Sequence, residues 1–305
     1  MKARSALALL SPLGVALVIA VCAWLVLYQA GGSTGRSPRP APPPAPTPGT
    51  LAATASAAPA PADAAGRRRA ARTALEAIDA HGGRYVIAVE DLTSGESVVH
   101  GETQGRFVSA SVIKADILAA LLLRAQDEGV VLTAEQRDLA AAMIRRSDND
   151  AAQRLWVEIG RREGFDAANG RLGLSPEHAG QRGVWGLTRT TVQDQLTLLR
   201  RIFTEESPLT AESRTYLRTL MSTVADDQRW GIAAAASPEG AVALKNGWLP
   251  REPTGLWVVN SIGMVEREGH TLLVAVLTDG QSTRDAGIDL VEHAATAAAD
   301  ALAAR

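Results

Sequence analysis

Lysine is scarce in this chain. Only three of its 31 basic residues are lysine (Lys2, Lys114 and Lys245), and the others are arginine. An arginine side chain stays protonated in proteins, whereas a buried lysine can lose its proton and act as a base. A lysine kept three residues after Ser111, in a chain that otherwise uses arginine, suggests proton chemistry at that place. A genome rich in arginine codons is the alternative explanation.

The chain also has few cysteines and histidines and a small net charge, and each of these features argues against one kind of site or partner. Cys22 is the single cysteine and precedes the folded part, which therefore has no disulfide and depends on its core. The five histidines do not have the spacing of zinc ligands. A net charge of −2 gives no basic field for nucleic acid. Neither a Gly-x-Ser-x-Gly elbow nor a phosphate-binding glycine loop occurs. Since the histidines also lack metal-ligand spacing, we expect no metal and no cofactor.

The N-terminal 30 residues have the composition of a membrane anchor. Residues 6–28 carry no charge and follow Lys2 and Arg4, which favours an anchor over residues 1–30 with its positive flank inside. A cleaved signal peptide is the competing interpretation. Lipidation of Cys22 is disfavoured, because a bulky valine precedes it and the apolar run continues beyond it.

A proline- and alanine-rich linker over residues 31–65 separates this segment from the domain at 66–305. Proline favours an extended chain of ~3.1 Å per residue, so the linker spans on the order of 100 Å. We therefore expect a domain held at the cell membrane, on the outside of the cytoplasm.

The domain itself has the pattern of a mixed α/β fold. Apolar periodicity predicts helices over 67–80, 112–125, 134–146, 151–159, 190–203, 211–222 and 285–304. It predicts strands over 85–89, 97–100, 242–244, 256–265 and 272–278. Strands from both ends of the domain must then share one largely antiparallel sheet, with a helical block inserted between them. This is an α/β (α+β) architecture.

Ser111 and Lys114 form a Ser-x-x-Lys pair at the start of an apolar helix. Residues three apart on a helix face the same way. An ammonium group in apolar surroundings is desolvated, which lowers the pKa of the lysine, and a neutral lysine can take the proton of a serine nucleophile. An ordinary surface helix cap is the alternative for this pair taken alone.

Two further short motifs have structural explanations when each is taken alone. Ser147-Asp148-Asn149 lies between two predicted helices, where such residues commonly cap a turn. Lys245-Asn246-Gly247 ends a short apolar strand. Its glycine permits a close approach of a substrate or another backbone, and its lysine offers a positive charge to a carboxylate. A solvated charge at a strand end is the alternative.

The three motifs in this order resemble the penicillin-recognising serine hydrolases, most closely the class A β-lactamases, whose signature is Ser-x-x-Lys, Ser-Asp-Asn and Lys-Thr-Gly. Residues 106–114 (RFVSASVIK) and 187–191 (LTRTT) are similar to the family's nucleophile segment and to the exit of its omega loop. The resemblance covers about residues 67–305. It implies a mainly antiparallel sheet flanked by N- and C-terminal helices, with an inserted and shortened helical lobe.

The resemblance also implies catalytic roles. Ser111 would attack the carbonyl, with Lys114 as base or part of the proton relay. Ser147 would pass a proton to the leaving nitrogen. Asn149 would bind the substrate amide and steady Lys114, and Lys245 would face the substrate carboxylate.

The same resemblance places Asn246, Gly247 and Trp248 beside the substrate. The backbone N–H groups of Ser111 and Trp248 would form the oxyanion hole. Asn246 stands where the family has a threonine or serine, so a hydroxyl is missing, although an amide can also donate. Asp148 is expected to hold its turn.

Two segments are shorter than in the family. The stretch between Ser111 and Ser147 implies a trimmed helical lobe, in which a wall of the cleft is lost. The omega loop, 174–186, contains Glu177 as its single carboxylate. Glu177 falls too early to match the glutamate that activates the deacylating water, and it is interpreted as the start of a helix or turn. Without that glutamate, we expect a serine ester to hydrolyse slowly.

Four tryptophans stand out in a chain with only 4% aromatic residues. Trp185, Trp230, Trp248 and Trp257 are candidates to line a cleft. For Trp230 and Trp257 a place in the core is favoured.

The sequence thus predicts a serine hydrolase that forms an acyl-enzyme with β-lactams or related cell-wall peptides. Two alternatives remain: a D,D-peptidase or penicillin-binding protein with slow deacylation, and a non-catalytic module that binds wall fragments or β-lactams. The expected partners are a small-molecule substrate and the membrane, and the protein is expected to be a monomer.

Overall fold

The computed structural model describes residues 63–304 except 176–179, 181–182 and 253. These residues belong to one unit of the chain, Ser56–Arg305. The predicted anchor, the linker up to residue 62, Glu177 and His178 lie outside the described residues. No helix within the described ranges has the length and apolar character needed to cross a membrane.

A five-stranded sheet forms the centre of the domain, with the order β2-β1-β7-β6-β5 and every neighbouring pair antiparallel. Its strands are β1 (Arg84–Asp91), β2 (Ser97–Gly101), β5 (Val242–Arg251), β6 (Leu256–Arg267) and β7 (His270–Asp279). A small second sheet pairs β3 (Phe107–Val108) with β4 (Arg189–Thr190). The predicted antiparallel fold is confirmed, with β5 at an edge of the sheet.

The helices of the described residues lie on the two faces of this sheet. They are α1 (Ala64–Glu76), α2 (Ile113–Asp127), α3 (Ala134–Arg145), α4 (Asn149–Glu158), α5 (Arg161–Leu172), α6 (Val192–Phe203), α7 (Ala211–Ser222) and α8 (Arg284–Leu302). Alternate residues of β1 point to opposite faces, as the pleat requires. Val86 and Ala88 join the core with α2 to α6, whereas Ile87 and Val89 join the core with α1 and α8.

Helix α2 is the core helix of the inserted block. Residues 113–123 are all buried, including Lys114 and Asp116. Each large apolar side chain buried there contributes about 1.5–3 kcal/mol, so the helix that carries Lys114 is held firmly in place.

Sequence reasoning misplaced some element boundaries. Helix α1 begins at Ala64 rather than residue 67, because the Asp63 carboxylate accepts a hydrogen bond from the N–H of Gly66 (2.6 Å) and caps it there. Strand β5 was predicted only over 242–244 and continues to Arg251, because its hairpin with β6 stays paired up to Arg251 and Leu256.

Helix α5 (Arg161–Leu172) was not predicted at all. Two glycines interrupt its sequence and weaken its helical pattern. Tertiary packing stabilises α5 despite its weak helix propensity, since Phe165 and Leu172 are fully buried and the Phe165 ring lies 5.3 Å from that of Trp156.

Asn260 of β6 ties the sheet to the segment before Ser111. Its side-chain amide donates to the carbonyls of Val108 (2.8 Å) and Ser109 (3.0 Å), and its Oδ1 accepts from the N–H of Thr278 (2.9 Å). The residue is fully buried, so these bonds are made away from bulk solvent.

We expect Asn260→Ala to lower the free energy of unfolding by about 3 kcal/mol, because a buried polar group left without a partner costs about 1–3 kcal/mol. Urea unfolding measures this. Gln153→Ala, on the exposed side of α4, is the control and should stay within about 0.5 kcal/mol. Equal, small effects of both changes would contradict this role of Asn260.

Candidate active site

Ser111 lies in a short 3₁₀ turn, Ala110–Val112, directly before α2. Ala110 in that turn has φ +47°, a left-handed conformation that costs a non-glycine residue about 1 kcal/mol. The turn is held from two sides: the N–H of Ser109 donates to the Thr188 carbonyl (2.8 Å), and Asn260 binds the Ser109 carbonyl. Local strain fixed by surrounding bonds is common at functional sites.

Lys114 lies in the first turn of α2 and is fully buried. Its Nζ donates to Ser147 O (2.5 Å), Ser147 Oγ (3.1 Å) and Asn149 Oδ1 (2.8 Å). Burial lowers the pKa of Lys114 to about 7, against the raising effect of the nearby Asp148 charge. A lysine with this pKa is partly neutral at physiological pH and can accept a proton.

Ser147 projects from the turn between α3 and α4. It has φ +55°, and Asp148 next to it caps α4 by accepting from the N–H of Ala151 (2.8 Å). Asp148 therefore holds the turn, as expected. The left-handed conformation of Ser147 is the unusual feature, because serine adopts it at a cost.

Lys245 approaches the same hydroxyl from the edge strand β5. Its Nζ donates to Ser147 Oγ (3.0 Å) and to the Asn246 carbonyl (2.7 Å), and the side chain is only 1% exposed. Burial lowers the pKa of Lys245 well below its usual value, and the Lys114 charge adds to this. The alternative of a solvated charge at a strand end is therefore wrong.

The Ser147 hydroxyl thus bridges two buried lysines. A hydroxyl offers two acceptor lone pairs and one proton. Both lone pairs face a lysine Nζ, so the proton of Ser147 is left for a third partner. This geometry suits a group that passes a proton to a substrate and recovers it from a lysine.

Asn246 lies behind this cluster, and its side chain makes hydrogen bonds to other groups of the protein. Its amide donates to the carbonyls of Gln228 (2.8 Å) and Trp230 (3.0 Å), and its Oδ1 accepts from Ser261 Oγ (2.6 Å). Both of its N–H groups are used, so a bond to substrate would require one of them to change partner. Contact of Asn246 with substrate stays a prediction, and its observed role is to brace β5.

Gly247 brings β5 against the nucleophile turn. A Cβ at this position would lie 2.6 Å from Ser111 N and 2.7 Å from Val112 N. Only glycine permits this approach of two backbones. The approach brings β5 beside the Ser111 N–H, as the predicted oxyanion hole of Ser111 and Trp248 requires; that role of Trp248 stays a prediction.

The tryptophans are divided between the two faces of the sheet. The Trp248 and Trp230 rings meet edge to face on the α8 side with centroids 5.8 Å apart, and the Arg284 guanidinium lies 4.8 Å from the Trp248 ring. Trp257 also packs against that core. The Trp185 ring lies at the site, with its centroid 4.9 Å from Lys114 Nζ.

Some predicted contacts are not seen. Within the described ranges, Ser111 Oγ has no hydrogen bond to Lys114, whose Nζ is directed to Ser147 and Asn149. Catalytic hydrogen bonds are often long before substrate binds. Among the same residues, no three His, Cys, Asp or Glu side chains are grouped closely enough to hold a metal ion.

Solved structures identify the fold of this chain. A class A β-lactamase from Bacteroides cellulosilyticus superimposes with a TM-score of 0.67 at 16% identity, covering 78% of this chain and 98% of that one. PBP-A superimposes with a TM-score of 0.64 at 19% identity, covering 75% and 94%. Another PBP-A structure, of a mutant, is an acyl-enzyme complex with penicillin G. The chain has the class A β-lactamase-like fold.

Sequence comparison gives the family. Residues 126–302 match the profile of the Beta-lactamase enzyme family, and the chain belongs to that family of hydrolase-type serine enzymes. A relative in Mycobacterium tuberculosis (strain ATCC 25618 / H37Rv), named "Putative lipoprotein LppW", is 28% identical over 209 residues. That match spans 67% of this chain and 66% of the relative's length.

We expect Gly247→Ala to slow labelling by a fluorescent penicillin by about 100-fold, because a displacement near 1 Å at a reacting centre has this effect. The added methyl group meets backbone atoms that cannot rotate away. Gly170→Ala is the matched control: it lies in α5 with open space around its Cβ, and it should stabilise the helix by up to about 1 kcal/mol. Normal labelling of Gly247→Ala would show that β5 need not approach so closely.

Proposed function

We propose that this protein is an active-site serine hydrolase that forms an acyl-enzyme at Ser111 with β-lactams or related cell-wall peptides. The observation that carries the proposal is the Ser147 hydroxyl placed 3.1 Å from Lys114 Nζ and 3.0 Å from Lys245 Nζ. A structural cap does not explain two buried lysines on one hydroxyl, whereas such an arrangement suits a proton relay.

Acylation follows from this arrangement. Neutral Lys114 takes the proton of Ser111 Oγ, which attacks the substrate carbonyl carbon. The N–H groups of Ser111 and Trp248 stabilise the resulting oxyanion. The C–N bond then breaks, Ser147 donates its proton to the departing nitrogen, and a protonated lysine returns one to Ser147. The acylation rate should rise with pH through about 7, as Lys114 loses its proton.

Lys245 would recognise the substrate carboxylate. Burial disfavours its charged form, and a bound carboxylate favours that form. Proton uptake by Lys245 would therefore accompany the binding of an anionic substrate, which selects for substrates with a carboxylate next to the scissile amide. Both β-lactams and the C-terminal end of wall peptides have this feature.

Deacylation distinguishes a β-lactamase from a D,D-peptidase or penicillin-binding protein. Among the described residues, the group over Lys114 is the ring of Trp185, and this indole cannot act as a base toward water. This observation favours the second class, in which the acyl-enzyme is long-lived toward β-lactams. The acyl-enzyme of a PBP-A mutant with penicillin G is an example of such an adduct in a protein of similar fold.

We further propose that the domain works outside the cytoplasm, attached to the membrane through residues 1–30. The uncharged run at 6–28 and the name of the mycobacterial relative support this location. Cleavage of the segment as a signal peptide would give a secreted domain with the same site.

Incubation with penicillin should add one acyl group to the protein, and Ser111→Ala should abolish it. With a chromogenic cephalosporin, we expect a burst of one equivalent followed by slow turnover, since no described carboxylate contacts Lys114. Intact-mass spectrometry and stopped-flow absorbance measure the two effects. An adduct that persists in Ser111→Ala would refute the nucleophile. Fast turnover without a burst would instead indicate a β-lactamase.

The two lysines should respond differently to arginine. Lys114→Arg should slow acylation by about 1,000-fold, because arginine does not deprotonate and a general base contributes about 10²–10⁴-fold. Lys245→Arg supplies the positive charge that a bound carboxylate needs and should lose at most about a tenth as much. Labelling rates with fluorescent penicillin provide the comparison. Equal, small losses in both variants would mean that the site binds without catalysis.

A further inference from the structure

The Trp185 ring lies beside the Lys114 amine. Its centroid lies 4.9 Å from Nζ, and the three acceptors of that nitrogen are all neutral oxygens of Ser147 and Asn149. We propose that Trp185 is a positioning residue that caps the Lys114 amine and excludes water from it. The inference rests on the proposed function, in which Lys114 is the base.

Backbone bonds fix Trp185 relative to the nucleophile. Thr188 donates to the Trp185 carbonyl through both its N–H (3.0 Å) and its hydroxyl (2.7 Å). The carbonyl of the same threonine accepts from the N–H of Ser109 (2.8 Å), two residues before Ser111. Thr188 is fully buried. The backbone of Trp185 and the segment that carries Ser111 are therefore tied together through Thr188.

Two effects of the ring on Lys114 have opposite signs. An aromatic face attracts an ammonium and favours the charged form, whereas exclusion of water favours the neutral form. Lys114 has no exposed surface and its Nζ lies beside the ring, and burial is the largest influence on the pKa of this amine. We therefore expect exclusion of water by the ring to outweigh its attraction for the ammonium.

The charged groups near Lys114 would not keep its pKa low if the ring were lost. Asp148, in the α3–α4 turn, raises the pKa of Lys114. Lys245, on β5, meets Lys114 across Ser147 Oγ. Asp116 lies two residues further along α2, about 200° around the helix. Loss of the ring would admit water beside the amine while these charges stay in place, so the protonated form would become more stable.

The scarcity of lysine makes this directly measurable. In the full chain labelled with ¹³Cε-lysine, Lys2, Lys114 and Lys245 give three signals, and Lys114→Arg assigns the relevant one. We expect the titration midpoint of Lys114 near 7 in the unchanged protein. In Trp185→Ala it should rise by at least about one pH unit, a tenfold change in the protonation equilibrium. Trp185→Phe should shift it by less than half as much.

A midpoint that stays within about 0.3 units in Trp185→Ala, or falls, would overturn the proposal, because the ring would then not keep the amine dry. Trp257→Ala removes an indole from the opposite core and should leave the Lys114 signal unchanged. If thermal melting shows that Trp185→Ala does not fold, Trp185→Leu replaces it. We expect the titration midpoint of Lys114 to rise by more than about 0.5 units in Trp185→Leu, and no rise would contradict the proposal.

The NMR titration needs no substrate, so it separates the two claims. Failure of penicillin to acylate the unchanged protein would refute the proposed function and leave the role of Trp185 measurable. If acylation occurs, the pH midpoint of its rate should rise in Trp185→Ala together with the NMR midpoint. A kinetic midpoint that stays unchanged while the NMR midpoint moves would show that Lys114 is not the base.

Discussion

The site depends on one hydroxyl shared by two buried amines. Burying a charge is costly unless it is paired and hydrogen-bonded, and Lys114 and Lys245 have Ser147 Oγ as their common acceptor. Charging both amines at once is disfavoured by their mutual repulsion, which lowers the pKa of Lys245 further. The cluster is therefore poised to exchange a proton, and the surrounding structure brings its members together from distant parts of the chain.

Three structural features bring these groups together. The apolar helix α2 fixes Lys114 in the core, a left-handed turn at Ser147 projects the hydroxyl toward it, and Gly247 lets the edge strand reach the nucleophile turn. Strain at Ala110 and Ser147 is offset by the packing of the elements on either side. A rigid scaffold with local strain at these groups suits the proposed acyl transfer, since misplacement of reacting groups reduces a rate steeply.

Much of this was predictable from sequence because it is local. The strand and helix patterns predict the antiparallel sheet and its helical insertion. The Ser111–Lys114 spacing predicts one helix face for the pair, whereas Ser111 lies in a 3₁₀ turn before α2 and, within the described residues, its Oγ has no hydrogen bond to Lys114. Helix α5 was missed because its glycines weaken the pattern. The bonds of Asn246 to Gln228 and Ser261, and the Trp185 ring over Lys114, join residues 15 or more positions apart. Such contacts depend on tertiary packing, which no local pattern reports.

A crystal structure of the full chain after reaction with penicillin tests the central claim most directly. The account predicts an ester at Ser111 Oγ whose carbonyl oxygen accepts from the N–H groups of Ser111 and Trp248. It also predicts the substrate carboxylate within hydrogen-bonding distance of Lys245 Nζ, and Ser147 Oγ directed at the released nitrogen. An acyl group on any other residue, or a carbonyl oxygen directed away from both N–H groups, would contradict it.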